Sequence, residues 1–273
     1  MTPLVSDIVK LLDGIAPFSL AEKWDNSGLQ AGHPDWPVHR ILVALDVTMD
    51  AMTAAEGMGA DVLITHHPLT IVPEKSLDFS RMPGAAIAKA ASRNIAIISA
   101  HTNLDKAREG LNDYFAEAVG LTCDRAFLPE GITETDDDGM LPGIGRFGRP
   151  DQPLTVGELS EQVKSRLGVP ALRVAGQLNL TVDEVAICTG SGGSLVDTFL
   201  NSSAQVYITG DLKYHEARDI EASGRAAIDV GHFASEHIAI DLLIQRLGQA
   251  ASSSEYEINI QGYTEEKDPF III

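Results

Sequence analysis

Apolar positions recur along this chain with two different periods. Near the start, Leu4, Val5, Ile8, Leu11, Leu12 and Ile15 fall three and four apart, which predicts an amphipathic helix. Further on, short runs of aliphatic and β-branched residues take over at 41–47, 60–65 and 95–99. These runs are continuous rather than alternating, as in strands of a parallel sheet covered on both faces. Helical spacing fills the gaps at 49–58, which Gly59 would end, at 83–92, and beyond the third run at 111–119. The second half keeps the rhythm. A helix is predicted at 154–167, capped by Thr155 with Glu158 three residues on. Strand 182–187, helix 195–200 and strand 204–209 follow. Such strand–helix alternation predicts an α/β fold with mainly parallel sheets.

The halves also resemble each other. Residues 204–209 match 60–65, with Val185 on Ile41, and 222–236 match 91–105 in a second register. His101 then falls on His232 and Asp105 on Glu236. Two related α/β domains with a probable internal duplication are expected. Segment 129–153, rich in Pro and Gly and carrying the acidic run 134–138, reads as a domain boundary with a solvated loop. The cluster Gly143-Ile144-Gly145-Arg146-Phe147-Gly148 reads as a turn entering a strand. Trp24 to Gly32 reads as a loop packed by its tryptophan.

Composition narrows the function. The chain has 273 residues, 44% of them apolar, and a net charge of −19. That charge disfavours partners held through phosphates, so neither nucleic acid nor an anionic membrane surface is expected. Two cysteines imply no disulfide framework. With neither a signal peptide nor an apolar run of membrane-spanning length in view, a cytoplasmic location is expected. The apolar end at 269–273 is costly to leave in water and is expected to be buried, as a final strand or at a contact.

Chemistry gathers at His66-His67, directly after the 60–65 run. Ligands in open α/β sheets collect beyond the carboxyl ends of strands, and imidazole is the commonest protein metal ligand. Two His-x-x-x-carboxylate copies, His101/Asp105 and His232/Glu236, each follow a short apolar strand. Where that spacing is helical, both side chains share a face. With His66 and His67 they make six N/O donors, more than one tetrahedral ion takes. Two ions bridged by a carboxylate are expected, and without cysteine ligands zinc, iron or manganese all fit.

These stretches are similar to the Nif-three-like family, also called GTP cyclohydrolase 1 type 2 homologs. The resemblance rests on Trp24-Asp25-Asn26-Ser27-Gly28-Leu29, Thr65-His66-His67-Pro68-Leu69, His101-Thr102-Asn103-Leu104-Asp105, Gly145-Arg146, Thr209-Gly210-Asp211-Leu212-Lys213-Tyr214-His215 and Gly231-His232-Phe233-Ala234-Ser235-Glu236. It implies a dinuclear site of two divalent transition-metal ions (Zn, Fe or Mn) on His66, His67, Asp105, His232 and Glu236, with Glu236 bridging. His101 would be a further ligand or a proton-transfer group. A toroidal homohexamer is implied as well, and so is a chain end that returns to the first domain, which gives a metal-binding domain of 1–128 plus 231–273 and a second domain of 129–230. The family's Thr-Gly-Glu appears here as Thr209-Gly210-Asp211, with a shorter acid; Asp211 and His215 read either as cavity-lining groups or as a polar loop. The function expected is a metal-dependent hydrolase acting on a small molecule or nucleotide, with His101 or His215 moving protons. The alternative is a non-catalytic metal storage or delivery protein, or a ring-shaped binding scaffold.

Overall fold

The computed structural model describes residues 1–129 and 141–272, so the acidic run at 134–138 lies outside the described residues. The chain divides into two units, residues 1–107 with 239–266, and residues 108–238 with 267–273. The helices in chain order are α1 (Val5–Ile15), α2 (Met49–Met58), α3 (Gly84–Arg93), α4 (Thr102–Lys106), α5 (Leu111–Val119), α6 (Val156–Leu167), α7 (Val196–Leu200), α8 (Tyr214–Ala222), α9 (His232–Glu236) and α10 (Ala239–Ser253).

The first unit is built on a five-stranded sheet of β1 (Gly28–Ala31), β2 (Arg40–Ala44), β3 (Val62–Thr65), β4 (Ala96–Ser99) and β13 (Asn259–Gly262), in the order β1-β4-β3-β2-β13. Only β1 runs antiparallel to its neighbour. All four residues of β3 and of β4 are buried, as continuous apolar runs require when both faces are covered. On one face Leu42, Leu63 and Ile97 pack with Met52, Ala55 and Ala90 of α2 and α3. Both helices end on a residue in the left-handed region, Gly59 at φ 67 and Asn94 at φ 54. Register does the rest. Thr65 pairs with Ser99, so β3 and β4 end side by side, and the residues that follow them leave the sheet together.

The second unit holds a six-stranded sheet of β5 (Leu121–Pro129), β6 (Gly143–Pro150), β8 (Arg173–Ala175), β10 (Val185–Ser191), β11 (Val206–Gly210) and β12 (Ala226–Asp229), with β7 (Leu154–Thr155) and β9 (Thr181–Val182) as a separate two-stranded ribbon. Its order is β5-β6-β10-β11-β12-β8, and the central β10-β11-β12 trio is parallel. Phe115 and Val119 of α5 and Leu159 and Val163 of α6 pack with Val185, Ile187, Val206 and Ile208. A separate core gathers Phe127, Phe147, Phe199, Tyr207 and Ile220. Thr155 and Glu158 form the capping box expected of α6.

The mixed α/β architecture with mostly parallel sheets matches the sequence expectation. Both sheets contain a parallel trio, so like strands play like roles, and duplication itself stays an expectation of the sequence. Three details differ. Segment 129–153 is no boundary. Its described flanks belong to β5 and β6, which pair with each other from Leu121↔Pro150 to Pro129↔Gly143. The Gly143–Gly148 cluster is therefore strand, and the unit boundaries fall after Ala107 and Ile238. Residues 231–238, with His232 and Glu236, consequently belong to the second unit, because α9 packs on β10 and β11. Nor is the chain end a strand. Phe270 and Ile271 stand 81% and 85% exposed, and β13 is the last strand among the described residues.

Candidate metal centre

In the first unit three imidazoles meet where β3 and β4 end. His66 and His67 follow β3, and His101 follows β4 after one residue. Their ring centroids lie 5.1, 5.2 and 5.6 Å apart. Each offers a ligand nitrogen, and these nitrogens all lie within 4.8 Å of one another. His66 is fully buried, and the other two are partly exposed. Neighbouring strand residues point to opposite sides, yet His66 and His67 converge because Pro68 ends the strand beneath them.

What holds the rings is one recurring contact. His66 Nδ1 lies 2.8 Å from the Ala100 carbonyl oxygen, His67 Nδ1 2.8 Å from Asp46 Oδ1, and His101 Nδ1 2.8 Å from Asp25 Oδ1. All three partners accept only, so each Nδ1 carries a proton and Nε2 is the nitrogen left to meet an ion. This is the arrangement found behind metal-bound histidines. Burial alone would raise the Asp25 carboxyl, but hydrogen bonds from His101 and Thr102 prevail and hold it well below the usual carboxylate range.

Asp105, on α4, places Oδ1 3.8 Å from His66 Nε2. With Nδ1 protonated, a neutral His66 turns a lone pair toward a carboxylate. That is unfavourable unless a positive charge sits between them. Two donors bound to one ion at about 2.0–2.2 Å each span close to this separation. The donor set thus fits a divalent metal.

The second unit supplies an equivalent pair. His232 and Glu236 lie one turn apart on α9, with Nε2 to Oε2 2.8 Å. Asp211 Oδ2 is 2.8 Å from His232 Nδ1. The imidazole therefore sits between two carboxylates, which calls for a cation at the ring or a second proton on it. Asp211 occupies the left-handed region at φ 57, a conformation that Asp tolerates better than most residues. Behind Glu236 lies Gly190, whose N–H donates to Ser235 Oγ at 2.9 Å.

Sequence reasoning singled out His66, His67, His101, Asp105, His232 and Glu236, and the structure gives each a place in one of these two groups. It keeps His215 apart. That ring is exposed on the first turn of α8 and meets the Tyr214 ring at 5.3 Å. His237 stacks on Phe233. Missed altogether were Asp25 and Asp46. Trp24 does not pack its loop; it is 57% exposed and meets His101 edge-on at 6.0 Å. The loop is pinned instead by Asp25, whose Oδ2 accepts from Ser27 Oγ and from the Thr102 N–H.

An α/β chain with imidazoles clamped at its strand ends carries groups that could hold a metal ion there. The chain belongs to the Duf34/NIF3 (NGG1p interacting factor 3) family, whose model matches residues 3–269. It is 33% identical over 269 residues to a Clostridium perfringens protein named GTP cyclohydrolase 1 type 2 homolog, covering 98% of this chain and 99% of that one. It is 31% identical over 271 residues to a Helicobacter pylori protein named GTP cyclohydrolase 1 type 2, covering 99% of each. Among solved structures, a Bacillus cereus protein related to NIF3 superposes with a TM-score of 0.92 at 26% identity, over 100% of both chains.

Proposed function

We propose that this protein is a metal-dependent hydrolase that holds two divalent transition-metal ions on His66, His67, Asp105, His232 and Glu236 and acts on a small molecule, with a purine nucleotide as the first candidate. The observation that carries the proposal is the clamping of every imidazole donor through Nδ1, three of them by carboxylates. Preset donors of this kind favour divalent zinc, iron or manganese. When bound, a metal pair activates water and polarises the bond to be cleaved.

The chain's own residues then do the rest. Glu236 would hold both ions as the proposed bridge, its carboxylate offsetting part of their charge. Asp46, Asp25 and Asp211 fix ring orientation. His101, held by Asp25, takes or returns a proton at Nε2 or serves as a sixth donor. The nucleotide assignment is drawn from the names of the relatives. The resemblance further supports a toroidal homohexamer, and the exposed apolar side chains Phe270 and Ile271 agree with burial in an assembly; a cytoplasmic location rests on the sequence pattern alone. Among the described residues no helix is long and apolar enough to cross a membrane.

Metal stoichiometry tests the site. Elemental analysis of reconstituted protein is expected to give about two ions per chain, as six N/O donors imply. Glu236→Ala is expected to lose both ions, since two cations then repel across an unbridged gap. His66→Ala is expected to lose mainly one. Equal partial loss in the two variants would make Glu236 a terminal ligand. Incubating the loaded protein with GTP and watching the purine absorbance tests the chemistry. Full metal occupancy without turnover of GTP, other nucleotides or esters would leave storage or delivery as the function.

A further inference from the structure

A cavity of about 220 Å³ opens between β8, β12 and the start of α8, and none of the candidate metal donors lines it. Its wall is apolar at Val174, Leu212 and Ala227, with the exposed ring of Tyr214 beside them. Two cations also line it, Arg173 at 72% and Lys213 at 83% side-chain exposure. In a chain with 20 basic residues against 39 acidic ones, two adjoining cations over an apolar slot stand out. The one carboxylate in the lining, Asp229, is already committed. It accepts from the Leu212 N–H at 3.1 Å, from the Gly231 N–H at 2.9 Å and from Arg173.

Among the described residues Arg173 bonds through one nitrogen. Its Nη2 donates to Asp229 and to the Leu212 carbonyl, and its Nε and Nη1 have no acceptor there. The Lys213 ammonium stands 3.6 Å from Glu216, beyond hydrogen-bonding distance. Asp229 thus aims the guanidinium, whose Nε and Nη1, on different edges, remain as single charged donors for a carboxylate or phosphate oxygen.

We propose that this cavity is a second ligand site, which takes a small organic anion with a single ring or a short aliphatic body. The carboxylate or phosphate group lies against Arg173 and Lys213, and the body lies along Tyr214 and the apolar wall. A cavity of this volume has room for a single ring. The site also adjoins the metal-donor segments in sequence. Leu212 follows Asp211, Gly231 precedes His232, and Asp229 bonds the backbone of both.

The test is calorimetric titration of phenyl phosphate into the full-length, metal-loaded protein, with benzoate, inorganic phosphate and benzyl alcohol as comparators. One equivalent of phenyl phosphate or benzoate is expected to bind per chain, more tightly than inorganic phosphate or benzyl alcohol. Removing one charged partner is expected to weaken that binding about tenfold or more, in Lys213→Gln and in Arg173→Gln alike. Tyr214→Ala is expected to weaken the aromatic anions and leave inorganic phosphate unchanged. If Arg173→Gln fails to fold for want of its bond to Asp229, the exposed Lys213→Gln and Tyr214→Ala decide. No binding of either aromatic anion at millimolar concentration overturns the proposal. So does equal binding by wild type and all three variants. Binding lost in His67→Ala but kept in Lys213→Gln would place the anion on the metal donors and overturn it as well.

Discussion

Gly190 has no room for a side chain. At φ +64 it sits where L-residues are strained, and a Cβ there would lie 2.0 Å from Glu236 Oε1. Gly190→Ala is expected to cost roughly 1–2 kcal/mol for the backbone and to push Glu236 off its position. Circular dichroism should show a retained fold while elemental analysis shows metal falling toward the level of Glu236→Ala. Unchanged occupancy would mean that Glu236 is not a ligand in the position described. At this scale the sequence was readable only in part. His66, His67 and the two His-x-x-x-carboxylate pairs advertise themselves by spacing. Asp25 and Asp46 do not, because they sit 76 and 21 positions from the rings they hold, His101 and His67. The partner of His66 is a main-chain carbonyl, which no sequence displays. Asp25 had one signal available, its place in the Trp24-to-Leu29 motif, but turn chemistry explained that stretch just as well.

Among the elements, the strand ends were legible and the β5–β6 hairpin was not. Its Pro and Gly content imitates a linker. Gly145 serves packing instead, since a Cβ on it, at φ +63, would lie 2.5 Å from the Ile187 carbonyl oxygen. Close approach of backbones demands glycine as surely as a turn does. The hairpin is stapled to β10 by Glu184, which receives Arg125 and Arg149 at 2.9 Å each, and Ser203. Burial would raise the Glu184 carboxyl, but the hydrogen bond from Ser203 and the pairing with Arg125 outweigh it and lower it below the ordinary glutamate value. A carboxyl lowered in the folded state adds stability above its unfolded value, and that stability drains away as pH falls through the folded one. Thermal unfolding is therefore expected to shift downward below about pH 4.3, the ordinary glutamate value. Glu184→Gln should start lower at pH 7 and fall less steeply in acid. Parallel pH curves for the two proteins would show that Glu184 does not carry the effect.

For the whole chain, charge and exposed apolar surface point different ways. The net charge of −19 keeps copies apart at low salt and disfavours nucleic acid. Phe270, Ile271 and Ile272 are 61–85% exposed and favour burial. Light scattering at micromolar concentration is expected to give a multiple of the single-chain mass, a sixfold one on the resemblance. The double substitution Phe270→Ser and Ile271→Ser should lower that multiple, the more so at low salt. A wild-type chain that runs as a monomer would reject self-association. The resemblance implies that the chain's end from 231 onward returns to the first domain; residues 239–266, with α10 and β13, lie in the first unit, and 267–273 in the second. The position of α9 in the second unit depends on packing between segments far apart in sequence.

The Nδ1 clamps bear on how the protein would be met in a purification. Rings locked by their own protein partners are already shaped for an ion. Such a pocket imposes little preference among zinc, iron and manganese beyond that of imidazole and carboxylate themselves. The metal recovered from one expression host or another would then record what the host's medium offered, as sediment records a river, more than anything the polypeptide demands.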